Sequence, residues 1–276
     1  TLRGAISVAA DGDTIEFIET GIITLQSKIA ISKNLTITSA SAANHIIDGN
    51  GNDVIFDVEV EPFDARVLNL EGLTLQNGFN PAGNGGALTM DEGDLTIRNS
   101  VFQDNIANGR GGAISVFPSE DHATLILSNV AFFRNQALTT TLSGGAIYAK
   151  SQFVIPVVIE IEGSTFNANV GGSASTGEGG AIVAYNTSPA ANLDLAIVDS
   201  TFISNSSRYG GAIALRMFGS DPGGLGSLDT IVNSTHFTRN LAEQGGAIYL
   251  RAVGNRAEAS LTISNTAFAT NTATSQ

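Results

Sequence analysis

Cysteine is absent from this 276-residue chain, so thiol catalysis, thiolate metal sites and disulfides are excluded together. Charge is scarce as well: charged residues make up 14%, against about 25% in ordinary soluble domains. Basic residues are the scarcer half. The 13 Lys+Arg against 26 Asp+Glu leave a net charge of −13, and the pI is near 4.5. A nucleic-acid partner is therefore not expected, because phosphate neutralisation needs clustered cations. No run approaches the ~18 consecutive apolar residues of a membrane span. The opening Thr1-Leu2-Arg3 has neither an initiator Met nor a signal-peptide pattern, which reads as a mature product or an excised segment.

What is abundant is glycine, 31 of 276 residues, within a chain that is 42% hydrophobic. The glycines are ordered. A tetrad Gly-Gly-Ala-Ile/Leu begins at Gly85, Gly111, Gly144, Gly179, Gly210 and Gly245, at steps of 26, 33, 35, 31 and 35 residues. In phase with it runs Phe-x-x-Asn, at Phe102/Asn105, Phe132/Asn135, Phe166/Asn169, Phe202/Asn205, Phe237/Asn240 and Phe268/Asn271. Before each Phe lies a short alternating run that often ends in Asn, Asp or Gly, such as Leu95-Thr96-Ile97-Arg98-Asn99. Period-two alternation marks strands with one buried face.

Three short strands per unit are too little for a free-standing sheet, but stacked units would form long parallel sheets with rungs about 4.8 Å apart. The sequence thus predicts an all-β fold, a right-handed single-stranded parallel β-helix (a solenoid). Helical repeats are excluded by the Gly- and Thr-rich units, and a propeller blade needs about 40 residues or more. The six Phe side chains are expected to form one internal column, with the Asn amides bonding from rung to rung at a turn. The glycine pairs are expected where the backbone takes positive φ or coils approach too closely for a Cβ.

One domain over 1–276 is expected, divided into a cap at 1–13, irregular coils at 14–77 and regular coils at 78–276. Strands are read at Thr14–Phe17, Ile29–Ile31, Leu35–Ile37, Val54–Phe56 and Leu73–Leu75. Leu2, Ala5, Ile6 and Ala9 have helical spacing, with Thr1 as N-cap and Gly12 as terminator of a short capping helix. After Asn271 no capping element is apparent, so either the segment is truncated or something, such as another copy, stacks on the open coil.

The phased Gly-Gly-Ala-Ile and Phe-x-x-Asn motifs resemble those of polymorphic outer-membrane proteins. That resemblance implies a secreted β-helical passenger with an adhesive role. The opening Thr1–Ile6 and Asp11–Phe17 resemble the start of CSLREA-type bacterial surface proteins, although Cys is missing and Gly4 stands where Glu is usual. Both resemblances imply an extracellular or cell-surface bacterial protein, and neither carries a catalytic residue.

β-Helices also support polysaccharide lyases and hydrolases, which need clustered carboxylates, Ca²⁺ or a basic residue. The acidic stretches are Asp11-Gly12-Asp13, Asp48–Asp53, Glu59/Glu61/Asp64 and Asp91-Glu92-Gly93-Asp94. Asp48-Gly49-Asn50-Gly51 is first of all turn chemistry. No acidic pair is expected to recur across coils at one phase. His45, His122 and His236 are read as isolated surface residues. Arg98, Arg110, Arg134, Arg208, Arg216, Arg239, Arg251 and Arg256 are read as offsetting acidic neighbours. Asn34, Asn186, Asn205 and Asn233 open Asn-x-Ser/Thr sequons that a bacterial chain would not use.

No catalytic, cofactor-binding or metal residue is assigned, and no cofactor. The connections from Phe-x-x-Asn to the next glycine pair hold 5, 8, 9, 4 and 4 residues, so loops vary on a constant frame. Val116-Phe117-Pro118 and Met217–Pro222 place apolar groups on such loops, as contact surfaces or local packing. The expected function is an extracellular structural or adhesive rod. Its expected partners are other copies of itself, end to end or lateral, or a surface glycan or host cell-surface protein. The alternative is a polysaccharide lyase or glycoside hydrolase.

Overall fold

The computed structural model describes residues 1–276 except 44, 59–65, 173–176, 188–189, 220–225, 255–256 and 275–276. The acidic group Glu59/Glu61/Asp64, residues 220–222 of the Met217–Pro222 run, and Arg256 lie outside the described residues.

Thr1 caps the helix Leu2–Val8, its Oγ1 accepting from the Gly4 amide at 3.1 Å. Leu2 and Ile6 turn one face of the helix into the first coil of the core. The helix ends earlier than the sequence predicts. Ala9 is already extended, and the Lys33 ammonium donates to the free carbonyls of Ile6, Ser7 and Ala9. Gly12, at φ +83°, instead turns the chain into the first strand, Thr14–Phe17.

The rest of the chain is an all-parallel β-solenoid. Each strand pairs in parallel with its equivalent one coil away, and the strands line up in four sheets of nine, eight, nine and seven strands. The long-strand sheet runs from Thr14–Phe17 to Glu258–Ser264 and contains the Leu-Thr-Ile runs. A second sheet, from Ile29–Ile31 to Ile248–Val253, follows the glycine pairs. The phenylalanine sheet runs from Gly21–Thr24 to Ala267–Ala269. The fourth consists of two-residue strands, from Phe79–Asn80 to Thr272–Ala273, a fourth piece per coil where the sequence indicated three.

The phenylalanines form one interior column. Phe102, Phe132, Phe166, Phe202, Phe237 and Phe268 stack with successive centroid distances of 5.1, 4.8, 4.6, 4.9 and 4.9 Å. The first five are fully buried, and Phe268 is 48% exposed. Leu75 sits in register below Phe102, and Ile47 below Leu75, so the column continues into coils that lack the motif.

The asparagines form a second column. Asn135 Oδ1 accepts from the backbone amide and the Nδ2 of Asn105, while its own Nδ2 donates to Asn169 Oδ1 and to the Phe102 carbonyl. The same pattern repeats through Asn169, Asn205, Asn240 and Asn271. At the base Gly78 occupies the asparagine place, and its amide donates to Asn105 Oδ1. Every buried amide in this turn is thereby satisfied by a neighbouring rung.

The Asn, Asp, Gly or Ser that follows each long strand from Arg66–Glu71 onward is required by its backbone. Gly72, Asn99, Asn129, Gly163, Asp199, Ser234 and Asn265 all have φ between +48° and +66°, the region that short polar residues and glycine tolerate. The glycine pair divides two tasks. Gly111 takes φ +64°, whereas a Cβ on Gly112 would meet the Gly145 carbonyl of the next coil.

Candidate functional site

The outward side of the sheet that follows the glycine pairs departs from an ordinary solvated surface. Along one outward column the register is Thr89, Ser115, Tyr148, Val183, Ala214 and Tyr249. The next runs Lys150, Tyr185, Arg216 and Arg251. Tyr209, at the corner, lies 5.1 Å from Tyr249. All four tyrosines of the chain thus lie on or beside this face.

The eight-residue connection before Gly144 brings Leu142 onto Tyr148, Val183 and Ala214, a small apolar cluster outside the main core. Tyr148 is 1% exposed as a result, and burial pushes its phenol well above the ordinary tyrosine value. Phe117 packs edge-on to Tyr148 at 6.5 Å, and Phe218 edge-on to Tyr185 at 5.8 Å. Local packing and surface presentation therefore coincide at both phenylalanines. Met217 differs from the loop expectation: it belongs to the strand Ile213–Phe218 and is buried in the core.

Cations are interleaved with these rings. Lys150 Nζ lies 4.6 Å from the Phe117 centroid and 5.8 Å from that of Tyr185. The Arg110 guanidinium lies 5.3 Å from Tyr148, and Arg208 5.0 Å from Tyr209. Arg216 is held between Tyr209 and Tyr249, at 5.7 and 5.1 Å, and makes a two-pronged ion pair with Glu178 at 2.5 and 2.6 Å. Both members of that pair are buried. Such rings and cations attract each other through the ring quadrupole.

The arginines offset acids only in part. Arg134 pairs with Asp104, Arg208 with Glu243 and Arg216 with Glu178. Arg110 has no carboxylate at ion-pair distance among the described residues.

The acidic stretches serve turns and rung contacts. Asp11 is held below the ordinary carboxylate range by hydrogen bonds from the Asn34 backbone and side-chain amides. Asp48 accepts from the Asn50 amide, Gln76 and Asn77. Glu92 accepts from the Ser119 hydroxyl and the Glu120 amide, and burial raises its neighbour Asp91. Two sequon asparagines are structural: Asn205 sits in the ladder, and Asn186 donates to the Ala191 and Ser227 carbonyls.

Two expectations require correction. His45 is not a surface residue. It is buried against Phe17, its Nδ1 2.6 Å from Ser39 Oγ. An acidic pair does lie across coils, because Asp194 is directly opposite Asp229 on the long-strand sheet. Partial burial, then the Asp229 charge, raises the Asp194 carboxyl, while Asp229 accepts from the Ser227 and Ser260 hydroxyls. Both faces escape sequence reasoning because their members are brought together only by coil register.

The family model for the Chlamydia polymorphic membrane protein repeat matches residues 99–116 and 129–150. Each stretch runs from the left-handed turn through the phenylalanine strand, the ladder asparagine and the glycine pair into the next strand. No curated protein and no solved structure matches the chain. No helix among the described residues is long and apolar enough to cross a membrane. The chain is a parallel β-helix in which two stretches match the polymorphic membrane protein repeat, and that repeat family implies a place at the bacterial cell surface or outer membrane.

Proposed function

We propose that the chain is a non-catalytic adhesive rod that presents the tyrosine- and cation-bearing face as its contact surface. The observation that carries this reading is the gathering of Tyr185, Tyr209 and Tyr249, none of them buried, with Arg110, Lys150, Arg208 and Arg251 over the buried Tyr148 and Arg216 along one side of a chain with net charge −13. Aromatic and Arg side chains are the groups that dominate protein contact energies. Stacked sheets hold them at fixed spacing, so little ordering entropy is lost on contact. The test is retention of the purified chain on host-cell surfaces. Tyr185→Ala with Tyr249→Ala should reduce retention at least tenfold, whereas Thr96→Ala with Thr124→Ala on the long-strand sheet should leave it unchanged.

End-to-end association into a fibre belongs to the same proposal. Sedimentation at rising concentration tests it: a mass that stays at one chain throughout would remove the fibre from the proposal.

A second reading, a polysaccharide hydrolase or lyase, is favoured by the Asp194–Asp229 pair, since a carboxyl raised by burial beside a second carboxylate is the kind of pair used in glycoside cleavage. Turnover of pectin or alginate, with or without Ca²⁺, that Asp194→Ala abolishes would replace the adhesive reading with this one.

A further inference from the structure

Among the buried and partly buried cations of the aromatic face, two stand apart, while Arg251 is exposed to solvent. Arg208 and Arg216 have carboxylates on them, at 2.8 Å or closer. Arg110 and Lys150 have none among the described residues. Among the described residues the Arg110 side chain has no hydrogen-bond partner, and its Nε is buried without an acceptor. Lys150 donates to the Gln152 amide oxygen, at 3.0 Å, and to no other described residue.

The two cations are close enough to repel each other: burial first, and the Arg110 charge second, hold the Lys150 ammonium below the ordinary lysine value. A half-buried guanidinium beside an ammonium, with no anion between them, is unfavourable unless something negative completes it. Around them stand the rings of Phe117, Tyr148 and Tyr185. Carboxylates are at hand in this acidic chain, but Glu178 on this face is fully engaged by Arg216.

We propose that Arg110 and Lys150 form a subsite for the carboxylate of an acidic sugar residue, whose ring lies against the partly buried Phe117 and Tyr185 beside Lys150. The guanidinium fork and the ammonium supply charge-assisted donors to the carboxylate. The half-exposed aromatic rings supply flat apolar surface for the C–H side of a pyranose, which an acidic peptide or free phosphate would leave unused. Charge complementarity is local, since the chain as a whole repels polyanions. The subsite therefore favours single or widely spaced uronate residues, bound most tightly at low ionic strength. This inference names the ligand class of the contact face and rests on the adhesive reading.

The experiment is calorimetric titration with trigalacturonate, its fully methyl-esterified form and triglutamate. The chain has no tryptophan, so tyrosine emission gives a second readout at the same face. Trigalacturonate should bind at least tenfold more tightly than the ester or triglutamate. Arg110→Gln and Lys150→Met should each weaken it at least tenfold, and Arg98→Ala on the long-strand sheet should leave it unchanged. Melting curves of each variant separate lost binding from lost folding. Equal binding of acid and ester, or no effect of either substitution in a folded variant, would overturn the subsite. Tighter binding of triglutamate would overturn the sugar assignment in favour of an acidic peptide. If no acidic sugar binds while cell retention still depends on Tyr185 and Tyr249, the subsite fails and the adhesive reading stands. If retention is indifferent to those tyrosines, the adhesive reading itself fails.

Discussion

Phe166 and Phe202 lie face to face across one rung, their centroids 4.6 Å apart and their planes within 1° of parallel. Each ring is covered above and below by its own kind, and both are completely buried. Phe166→Ala should therefore cost roughly 3–5 kcal/mol of stability in urea denaturation, as buried Phe truncations do. Phe268→Ala removes a ring covered on one side only and should cost about half of that or less.

The asparagine column is a stricter device, since both ends of each amide are used. Asn169→Asp retains the acceptor but turns a carboxylate oxygen toward Asn205 Oδ1 and the Phe132 carbonyl, where a donor stood. The loss at neutral pH should be roughly 3 kcal/mol or more, the cost of unsatisfied buried groups and a buried charge. Burial without a donor would raise the new carboxyl above its unfolded value of about 3.9. The penalty is then complete above the folded pKa and fades as pH falls toward the unfolded one. Melting temperatures of variant and parent should converge between neutral pH and about pH 4.

Two glycines separate steric from conformational requirements. Gly145 faces the Gly180 carbonyl and the Val170 backbone, so Gly145→Ala must push coils apart and should cost about 3 kcal/mol or more. Gly51, at φ +65°, has open space where a Cβ would stand. Gly51→Ala should cost only the left-handed penalty of about 1–2 kcal/mol. Thermal unfolding of the two variants side by side reads the difference.

The Arg216–Glu178 pair is buried on the tyrosine-bearing face, and breaking it leaves a charge without a partner. Glu178→Gln should destabilise the fold by roughly 3–5 kcal/mol, while replacing both residues with apolar ones of similar volume should cost much less. A double-mutant cycle in urea measures the coupling.

His122 carries a modest pH dependence. The hydrogen bond that its Nδ1–H donates to Asp121, with Asp94 nearby, raises its pKa above the ordinary histidine value, and the same bond lowers that of Asp121. The histidine's contribution is complete below its unfolded pKa of about 6.5 and is lost as pH rises through its higher folded value. The carboxylate's contribution is present above its unfolded value and is lost as pH falls through its lower folded one. His122→Asn should flatten the stability profile just above neutral pH, and the imidazole proton titration of the parent should fall above about 6.5.

The regular coils were legible because their key positions admit few residue types. Gly112 lies against backbone, Asn135 must give and accept at once, and Phe166 fills a fixed interior column. Where another residue satisfies the same demand, the pattern disappears. Leu75 and Gly78 do the work of Phe and Asn without their letters. The two-residue strands Ile106–Ala107 and Ser206–Ser207 share no periodicity that a sequence could display. The contact face was invisible for a different reason. Tyr148, Tyr185 and Arg216 become neighbours only through coils of unequal length, and the opposition of Asp194 to Asp229 arises the same way.

Chemical footprinting of the chain while it is held on a cell surface tests the central claim most directly. Tyrosine iodination should be suppressed at Tyr185 and Tyr249 relative to the free chain, while carbodiimide labelling of Asp194 on the long-strand sheet stays the same. Unchanged iodination of both tyrosines, with Asp194 protected instead, would place the contact on the opposite reading's face and contradict the account.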